Sequence, residues 1–578
     1  MYSGPRLVEL LEKQHQARSQ AGLFKKDTFT IQWRAKVGSF PHPDIETLVS
    51  AGEPCGSWIN NSSWINNSRP EEKRNVAQNN EQLPELPLHG YLPGSAIRGL
   101  VRAWAKKHNI QSRMHQLLGY QTDETIRAGK IEFLDAWPQQ ATKLTLDIVN
   151  PQQSFQVYHE AQSTPLSFYT LGDGKDPVPL TVAIRGIPGR ATEEEVEEVW
   201  GWVQQALSLS GVGSRTASGY GALKPASPIQ TTPEPGHSIK TLQFSLYSQG
   251  CAGPRMREME LRPSHWRGWL RSWVLRFLLG VMSKEDAEKT VGELLGTIEP
   301  EARQGCVRLK MIPGQTWGSR SRNNPHFYAW EGTLQLSAPT EILKQIVLPI
   351  VRFAASVGGV GRGWRRPLHV FRMNNDREAT RGTHLIITQR VCNQNTGNPE
   401  NQDYGLPPHR PKSWSQVYDK WLAAVQTQWQ GRVSVGANNQ LAAEVFSPTT
   451  CAIYAVPGPD RTPIDRREMR WENLRPEDMR GDGTYLIYRD QRTRNYKRNP
   501  HLGGNAAGGG NSHCSWVSVR RVDVRHPEEE TDCQEIVCLF MGGVNPESNH
   551  VRSRFLADLK NMIGGVHLFG KGGGMSDE

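Results

Sequence analysis

Two arginines on one predicted helix are the first residues in this chain that could bind a phosphate. In the segment LPGSAIRGLVRAW (residues 92–104), Arg98 and Arg102 are four residues apart, so they share one face of a helix. Ser95 is predicted to cap the helix N-terminus, and the Gly-Ser turn before it presents backbone N–H groups that suit a phosphate. A stripe of apolar residues predicts that another face packs on a core; its members are Ile97, Leu100, Val101 and Trp104.

A second copy of this motif stands in PSHWRGWLRSW (residues 263–273), where Arg267 and Arg271 repeat the spacing. A single basic helix face is more often solvated than functional. The repetition of the same two arginines favours a binding role, and we expect all four to contact a nucleic-acid backbone.

A glycine-rich loop follows each copy. The loops are GVGSRTASGYG (residues 211–221) and GGVGRGWRRP (residues 358–367). Each follows a predicted helix, whereas a dinucleotide-binding loop follows a strand and opens a helix, so a nucleotide cofactor is not expected. Glycines admit a close backbone, and arginine beside an aromatic ring can hold phosphate and stack a base, for about 1–3 kcal/mol per base. The predicted RNA contacts are Gly211, Gly213, Ser214, Arg215 and Tyr220, and Gly359, Gly361, Arg362, Trp364, Arg365 and Arg366.

The elements around these motifs repeat in the same order: strand, helix, strands, helix, glycine turn, strand. Thr192 and Glu195 form a capping box before the second helix of copy one. This order predicts an α+β fold with two tandem ferredoxin-like, RRM-like domains. We place them at residues 24–230 and 238–375, after an N-terminal helical segment at 1–23. Residues 376–578 are predicted to be an irregular α+β extension, either an insertion or a partial third domain.

Composition is consistent with a nucleic-acid partner. The 578 residues carry a formal net charge of +10, which favours a polyanion. The N-terminus has no apolar segment of signal-peptide length, and no run of 18 apolar residues occurs. We therefore expect a cytoplasmic protein with no membrane partner. The scattered cysteines predict reduced thiols, not a disulfide framework or a metal site.

The connection between the first strand and the first arginine helix is long, at residues 38–92, and contains the tandem SWINNS-SWINNS. Its two tryptophans, Trp58 and Trp64, could stack on bases or wedge between them. A duplication in a tolerant loop explains the repeat equally well, and the sequence leaves both interpretations open.

These motifs resemble those of the RAMP superfamily, the crRNA-binding backbone subunits of type III CRISPR effector complexes. Copy one is similar in LPGSAIRGLVR, LLG (residues 117–119), GKIEFLDA (residues 129–136) and GVGSRTASGYG; copy two is similar in WRGWLRSW and GGVGRGWRRP. The resemblance covers residues 24–375 and none of the extension. Copy one is most similar to the branch that caps the 3′ end of the crRNA in Cmr-type complexes.

The resemblance implies that the arginine helices and glycine loops contact crRNA, and that the loop holding Trp58 and Trp64 acts as a thumb on the guide–target duplex. It also implies partners: complementary target RNA and other Cas subunits of an antiviral ribonucleoprotein. Some members cut target RNA with a thumb-loop aspartate and a divalent metal. Asp44 is the candidate acid here, with Mg²⁺ or Mn²⁺ and no stably bound cofactor, although the family's Val-Asp signature is missing. The matching stretch of copy two, CAGPRMREMELRP (residues 251–263), has no aspartate, which predicts binding without cleavage.

The expected function is therefore a crRNA-binding scaffold subunit near the 3′ end of the guide, with one possible site of target-RNA cleavage. Two alternatives stay open: a stand-alone endoribonuclease that processes crRNA, and a basic RNA-binding protein outside CRISPR systems. A processing enzyme would need a histidine or a Lys/Tyr/Ser set near the glycine loop; Ser214, Ser218 and Tyr220 stand in residues 211–221, but no histidine does.

Overall fold

The computed structural model describes most of the chain in two compact units. The described residues are 4–37, 39–42, 45–50, 90–142, 144–149, 153–158, 166–248, 251–252, 259–297, 301–317, 328–361, 363–372, 378–392, 397–434, 444–459, 481–488, 502, 504, 514–524, 532–543 and 546–572. Unit 1 contains residues 1–151, 164–237 and 252–264, and unit 2 contains residues 152–163, 238–251 and 265–578.

The helices and strands are numbered along the described chain. The helices are α1 (Gly4–Ala17), α2 (Gly94–Lys107), α3 (Gln111–Leu118), α4 (Gln153–Tyr158), α5 (Glu193–Leu209), α6 (Pro263–Leu279), α7 (Lys284–Leu295), a π-helical segment (Ile342–Val347) continued by α8 (Leu348–Val357), α9 (Pro411–Gln428), α10 (Asp482–Tyr488) and α11 (Pro546–Lys560). Strands β1 to β12 are Phe24–Ile31, Ser39–His42, Ile45–Ser50, Gly119–Gln121, Ile126–Ala128, Ile131–Phe133, Trp137–Pro138, Leu144–Val149, Leu166–Leu171, Val178–Gly186, Leu223–Pro225 and His237–Ser248. Strands β13 to β24 are Cys251–Ala252, Met259–Glu260, Arg308–Trp317, Tyr328–Pro339, His369–Arg372, Glu378–Arg381, Thr383–Cys392, Pro399–Asp403, Cys451–Pro457, Val517–Val524, Asp532–Phe540 and Val566–Gly570.

Unit 1 is built on a sheet with the strand order β11-β1-β10-β6. In chain order its elements are β1, α2, β6, β10, α5 and β11, so the strands stand in the order 4-1-3-2 of a split βαβ unit. Strands β1 and β10 are antiparallel, with Phe29 opposite Leu180. The predicted inward residues of the first strand are all buried: Phe29, Ile31, Trp33, Ala35 and Val37.

Both faces of this sheet are covered. Helix α5 starts with the predicted capping box, in which Thr192 Oγ1 accepts from the Glu195 N–H at 3.3 Å and the Glu195 carboxylate accepts in return at 3.1 Å. Helices α2 and α5 pack against each other on one face. On the other face, α1 places Val8 against a small cluster that includes Phe24 and Ala183. Beside the sheet, β8 and β9 form an antiparallel hairpin.

Unit 2 contains a second sheet of the same kind, with the order β15-β16-β12-β19-β20. Strands β12, β15, β16 and β19 stand in the order of a split βαβ unit, and β20 extends the edge. After β12 the chain forms the short strands β13 and β14, helices α6 and α7, strands β15 and β16, and the π segment with α8. Strand β19 lies beyond residue 375, so this sheet ends later in the chain than the predicted domain boundary.

The C-terminal part of unit 2 holds a third sheet, with the order β22-β23-β21-β24. Its chain order is β21, α10, β22, β23, α11 and β24, which is again strand–helix–strand–strand–helix–strand with order 4-1-3-2. Its core includes Tyr454, Val537, Ile487 and Phe555. Within the described residues, the predicted irregular extension therefore contains a third sheet unit with the same strand order. The α+β fold class is confirmed, and this sheet unit stands where an insertion or a partial third domain was predicted.

Candidate nucleic-acid interface

The start of helix α2 is fixed by a close backbone crossing. A Cβ atom on Gly94 would lie 2.2 Å from the carbonyl oxygen of Phe133, so only glycine fits there. The Gly94 N–H donates to Asp135 Oδ1 at 2.8 Å. The N-cap residue is Pro93, not Ser95, whose side chain caps nothing and is exposed. The predicted cap at Ser95 is wrong, because Asp135 from the neighbouring segment takes the first N–H and places a negative charge where a phosphate was expected.

The four repeated arginines have one local role in common. Arg98 donates through Nη2 to the carbonyl of Leu118, and Arg102 Nη1 donates to the carbonyl of Gly119 at 2.7 Å. Both carbonyls stand at the C-terminal end of α3, where unpaired acceptors and the helix dipole favour a cation. The arginine pair therefore caps the next helix.

The second copy repeats this contact in unit 2. Arg267 donates to the carbonyl of Leu295, and Arg271 Nη1 donates to the carbonyl of Gly296 at 2.9 Å, at the end of α7. Burial, and then the neighbouring Arg271, lower the pKa of Arg267 to about 10. The shared spacing of the arginine motif and the Leu-Leu-Gly motif thus has a structural cause in both units. Contact with RNA through the remaining guanidinium donors stays a prediction.

The first glycine-rich loop packs against the chain that follows β1. Gly213 has φ +88°, and a Cβ there would lie 2.1 Å from the carbonyl oxygen of Lys36. The same carbonyl accepts from the Ser214 N–H at 2.7 Å, and the Gly221 N–H donates to the carbonyl of Arg34 at 2.7 Å. The predicted close approach of a backbone is therefore made by the protein's own chain.

The tip of this loop faces solvent and carries positive charge. Gly213 and Ser214 are exposed. Arg215 adopts the left-handed conformation with φ 55°, which costs a residue with a side chain about 1–2 kcal/mol. Its guanidinium lies 5.0 Å from the centre of the Phe168 ring, and Lys36 Nζ lies 4.9 Å from the same centre. The Ser214 hydroxyl donates to the carbonyl of Lys36 over a long distance of 3.4 Å, and Arg215 and Lys36 place two cations at the tip.

Tyr220 is buried behind the tip and does not face solvent. Its ring is fully inaccessible and lies 4.7 Å from the ring of Trp33. Its hydroxyl donates to Asp147 Oδ2 at 2.5 Å. Burial, and then the Asp147 charge, raise the pKa of Tyr220, so the hydroxyl keeps its proton. The structure corrects the prediction that Tyr220 stacks on a base: this side chain anchors the loop.

Tyr220 belongs to a buried network of charges in unit 1 that sequence reasoning missed. Arg262 Nη2 donates to Asp147 Oδ1 at 2.9 Å, and Arg262 also pairs with Glu260. Arg34 Nη2 lies 3.3 Å from Glu260 Oε2, and Arg34 Nη1 donates to hydroxyl and carbonyl groups of the β8–β9 hairpin and the turn after it. Two arginines and two carboxylates balance each other, which buried charges require. The network joins the glycine loop, the hairpin and residues 259–262.

Three predicted contact residues of the second glycine loop, Gly359, Arg365 and Arg366, are buried. Gly359 lies against Thr383, since a Cβ would come within 1.8 Å of Thr383 Oγ1, and Gly361 has φ +81°. Arg365 is buried and pairs with Glu444, while its Nη1 donates to the carbonyl of Ser515 at 2.6 Å. Arg366 is also buried and donates to the carbonyl of Val517 at 2.5 Å.

The structure corrects the prediction that Arg365 and Arg366 contact RNA, because both side chains are buried inside unit 2. Trp364 is half-buried, and its ring lies 4.4 Å from the Arg365 guanidinium and 5.4 Å from that of Arg276. Arg276 completes the arrangement, as its Nε donates to Glu444 Oε2 at 2.8 Å.

Four predicted site residues lie outside the described residues: Asp44, Trp58, Trp64 and Arg362. Their roles in cleavage, in the thumb and in RNA binding stay predictions. Among the residues that the structure describes, no group of three histidine, cysteine, aspartate or glutamate side chains could hold a metal ion. In the same part of the chain, no helix has the length and apolarity needed to cross a bilayer.

One segment of the chain matches a known protein family. Residues 88–224, which contain helix α2 and the first glycine loop, match the RAMP superfamily. No curated protein sequence matches the chain.

Solved structures that resemble the chain include three from Cmr systems. A chain of the type III-B Cmr-beta complex bound to cognate target RNA has 15% sequence identity and a TM-score of 0.26, over 39% of this chain and 66% of that one. Cmr6 from Pyrococcus furiosus has 18% identity and a TM-score of 0.21, over 35% of this chain and 98% of that one. Cmr1 from Pyrococcus furiosus in its apo form has 10% identity and a TM-score of 0.20, over 55% and 88%.

Proposed function

We propose that this RAMP-like chain is an RNA-binding scaffold subunit of a type III CRISPR effector complex. In this proposal it holds guide RNA near the 3′ end together with complementary target RNA, and it assembles with other Cas subunits. The observation that carries the proposal is that the RAMP match of residues 88–224 includes both the arginine helix α2 and the first glycine loop.

The geometry of unit 1 supports a surface for the RNA backbone at the loop tip. Gly213 and Ser214 are exposed, and Arg215 and Lys36 place positive charge beside them. An exposed hydroxyl with two cations suits a phosphodiester, because phosphate contacts give affinity without reading sequence. The buried Tyr220–Asp147 contact holds this tip in place, which limits the ordering cost of binding.

The proposal places target-RNA cleavage, where it occurs, at Asp44 with a divalent cation. Such a cation would polarise the scissile phosphate and activate water. Asp44 is the residue of this chain that would ligate it.

The experiment is purification of the tagged full-length chain from cells that carry a CRISPR array and the neighbouring genes. The expected result is co-purification of guide-length RNA that contains repeat sequence, together with other subunits. A free monomer that trims repeat RNA would support the alternative of a processing endoribonuclease. Bound RNA without repeat sequence, and without partner subunits, would support an RNA-binding protein outside CRISPR systems.

A further inference from the structure

Unit 2 contains a large basic groove that none of the predicted site residues lines. Its volume is about 1150 Å³, above the range of roughly 300–1,000 Å³ that is usual for small-molecule pockets. Among the described residues that line it, six are lysine or arginine and one, Asp403, is a carboxylate. The six basic residues of the groove are Lys240, Lys344, Arg352, Arg410, Lys420 and Arg520.

The cations come from several elements and converge on one space. Lys344 stands in the π segment and Arg352 in α8, which continues it. Lys420 lies on the groove side of α9, between Val417 and Ala424, and small residues of this helix leave the space open. Six charges over five segments of chain suit an extended anion better than a single small one.

Several of these cations are not neutralised by the protein. Within the described part of the chain, Lys344, Arg410 and Lys420 are exposed and have no carboxylate at ion-pair distance. Lys240 Nζ donates to the neutral Gln389 Oε1 at 2.8 Å, and Arg352 Nε donates to the carbonyl of Tyr404 at 3.2 Å. This differs from the buried Arg365 of the second glycine loop, which pairs with the carboxylate of Glu444. Uncompensated cations in a concave surface attract a polyanion, since the low-dielectric walls focus their field.

We propose that this groove binds single-stranded RNA through its phosphodiester backbone, at a site separate from the arginine helices and the glycine loops. Pro407 and Val417 are half-buried and add apolar wall to the groove, against which bases can pack. Tyr404 is buried, so it offers no exposed ring for stacking. The groove should therefore bind RNA without strong sequence preference, as positively charged channels for single strands do. The inference rests on the proposed RNA-binding function, and it adds a second RNA contact, in unit 2.

The test compares two double variants of the full-length chain. Lys344→Ala with Lys420→Ala removes two exposed groove cations. Lys289→Ala with Lys412→Ala is the matched control, because both lysines are exposed, do not line the groove, and Lys412 lies on the same helix as Lys420. Circular dichroism and thermal melting check that both variants fold like the unmodified chain.

Binding of fluorescein-labelled oligouridine is measured by anisotropy over a series of salt concentrations. Each single-strand phosphate contact contributes about 0.7 to the slope of log K against log salt, so the groove variant should lose about 1.4 from the slope. If the groove variant and the unmodified chain bind equally at 1 M salt, this slope difference makes the affinity of the variant about 14-fold lower at about 0.15 M salt. The control variant should keep the slope of the unmodified chain.

The outcomes separate the inference from the function on which it rests. An unchanged slope in the groove variant, with RNA binding intact in the unmodified chain, overturns the groove and leaves the proposed function standing. Absence of RNA binding by the unmodified chain overturns both. Photo-crosslinking with oligo(4-thiouridine) should label the peptide of residues 403–410. Labelling confined to other peptides, together with equal displacement by polyglutamate, would show an acidic-protein site and overturn the RNA assignment.

Discussion

Replacing Tyr220 by phenylalanine separates two roles that one side chain could have. A phenylalanine ring stacks on a base as well as a tyrosine ring does, so a stacking role predicts no change in RNA affinity or stability. The structure assigns Tyr220 to a buried hydrogen bond with Asp147 at 2.5 Å. Tyr220→Phe removes that donor and leaves Asp147 Oδ2 with Arg34 Nε at 3.9 Å.

The expected loss is set by the charge on the acceptor. A hydrogen bond to a charged group contributes about 1.5–3 kcal/mol. Because the chain has two units, its unfolding is not a single two-state transition, and local amide exchange is the better readout. At about 1.4 kcal/mol per tenfold change, exchange should become about 10- to 150-fold faster. The affected amides are those of residues 24–31 and 211–221. Their exchange is measured by mass spectrometry under conditions where reclosing of the structure is faster than chemical exchange, so that the rate reports the free energy of local opening.

The control is Tyr418→Phe. Tyr418 is also buried, and within the described residues its hydroxyl makes no hydrogen bond, so its removal should leave exchange nearly unchanged. If Tyr220→Phe keeps exchange within twofold of the unmodified chain, the hydrogen bond does not hold the loop and this reasoning fails. A lower RNA affinity of Tyr220→Phe, with every cation still present, would show that the anchor also serves binding.

Three further perturbations test other parts of the chain. Arg271→Ala should make amide exchange in α7 about 10- to 150-fold faster, since the carbonyl of Gly296 loses a charged donor that contributes about 1.5–3 kcal/mol. An equal effect of Arg390→Ala, at an exposed arginine, would contradict the capping role. Burial, and then Arg520 and Arg521, lower the pKa of His384 to about 3. The unfolded chain therefore binds the extra proton below about pH 6.5, and stability should fall by up to about 1.4 kcal/mol per pH unit between pH 6.5 and 3. His384→Gln should flatten this acid dependence in pH-dependent unfolding, whereas the exposed His409→Gln should not. Asp44→Ala should abolish one metal-dependent cut in labelled target RNA without weakening guide binding, and persistence of every cut would show that Asp44 is not the acid.

Local sequence patterns predicted the elements of the first sheet well. Alternation of apolar residues marked the buried face of β1, and Thr192 with Glu195 marked the start of α5, since both signals depend on neighbours a few residues apart. The RAMP resemblance was also found from short motifs, and residues 88–224 match that family.

The environment of each charged residue could not be read in the same way. Arg365 follows a glycine turn, and its neighbours in the sequence predict an exposed cation. Its partner Glu444 stands 79 residues later in the chain. Asp147 meets Arg262 across 115 residues. A sequence shows which residues carry charge, whereas burial of that charge depends on contacts that only the fold brings together.

The third sheet unit shows why the repeated motif marks only two of the three units that the described residues form. In the first two, an arginine pair on the first helix caps the helix after it, and this contact requires the same residues at the same spacing. Among the described residues of the third unit, the first helix is α10, which spans Asp482–Tyr488 and has no arginine. In this unit Arg552 of α11 donates through Nη1 to the carbonyls of Phe540 and Gly542 at 3.0 and 2.6 Å, which lie at the end of strand β23 and not at a helix end. The third unit therefore keeps the strand order without the capping motif. The motif shows which groups hydrogen-bond to the carbonyls at a helix end, and its absence does not show that a sheet unit is missing.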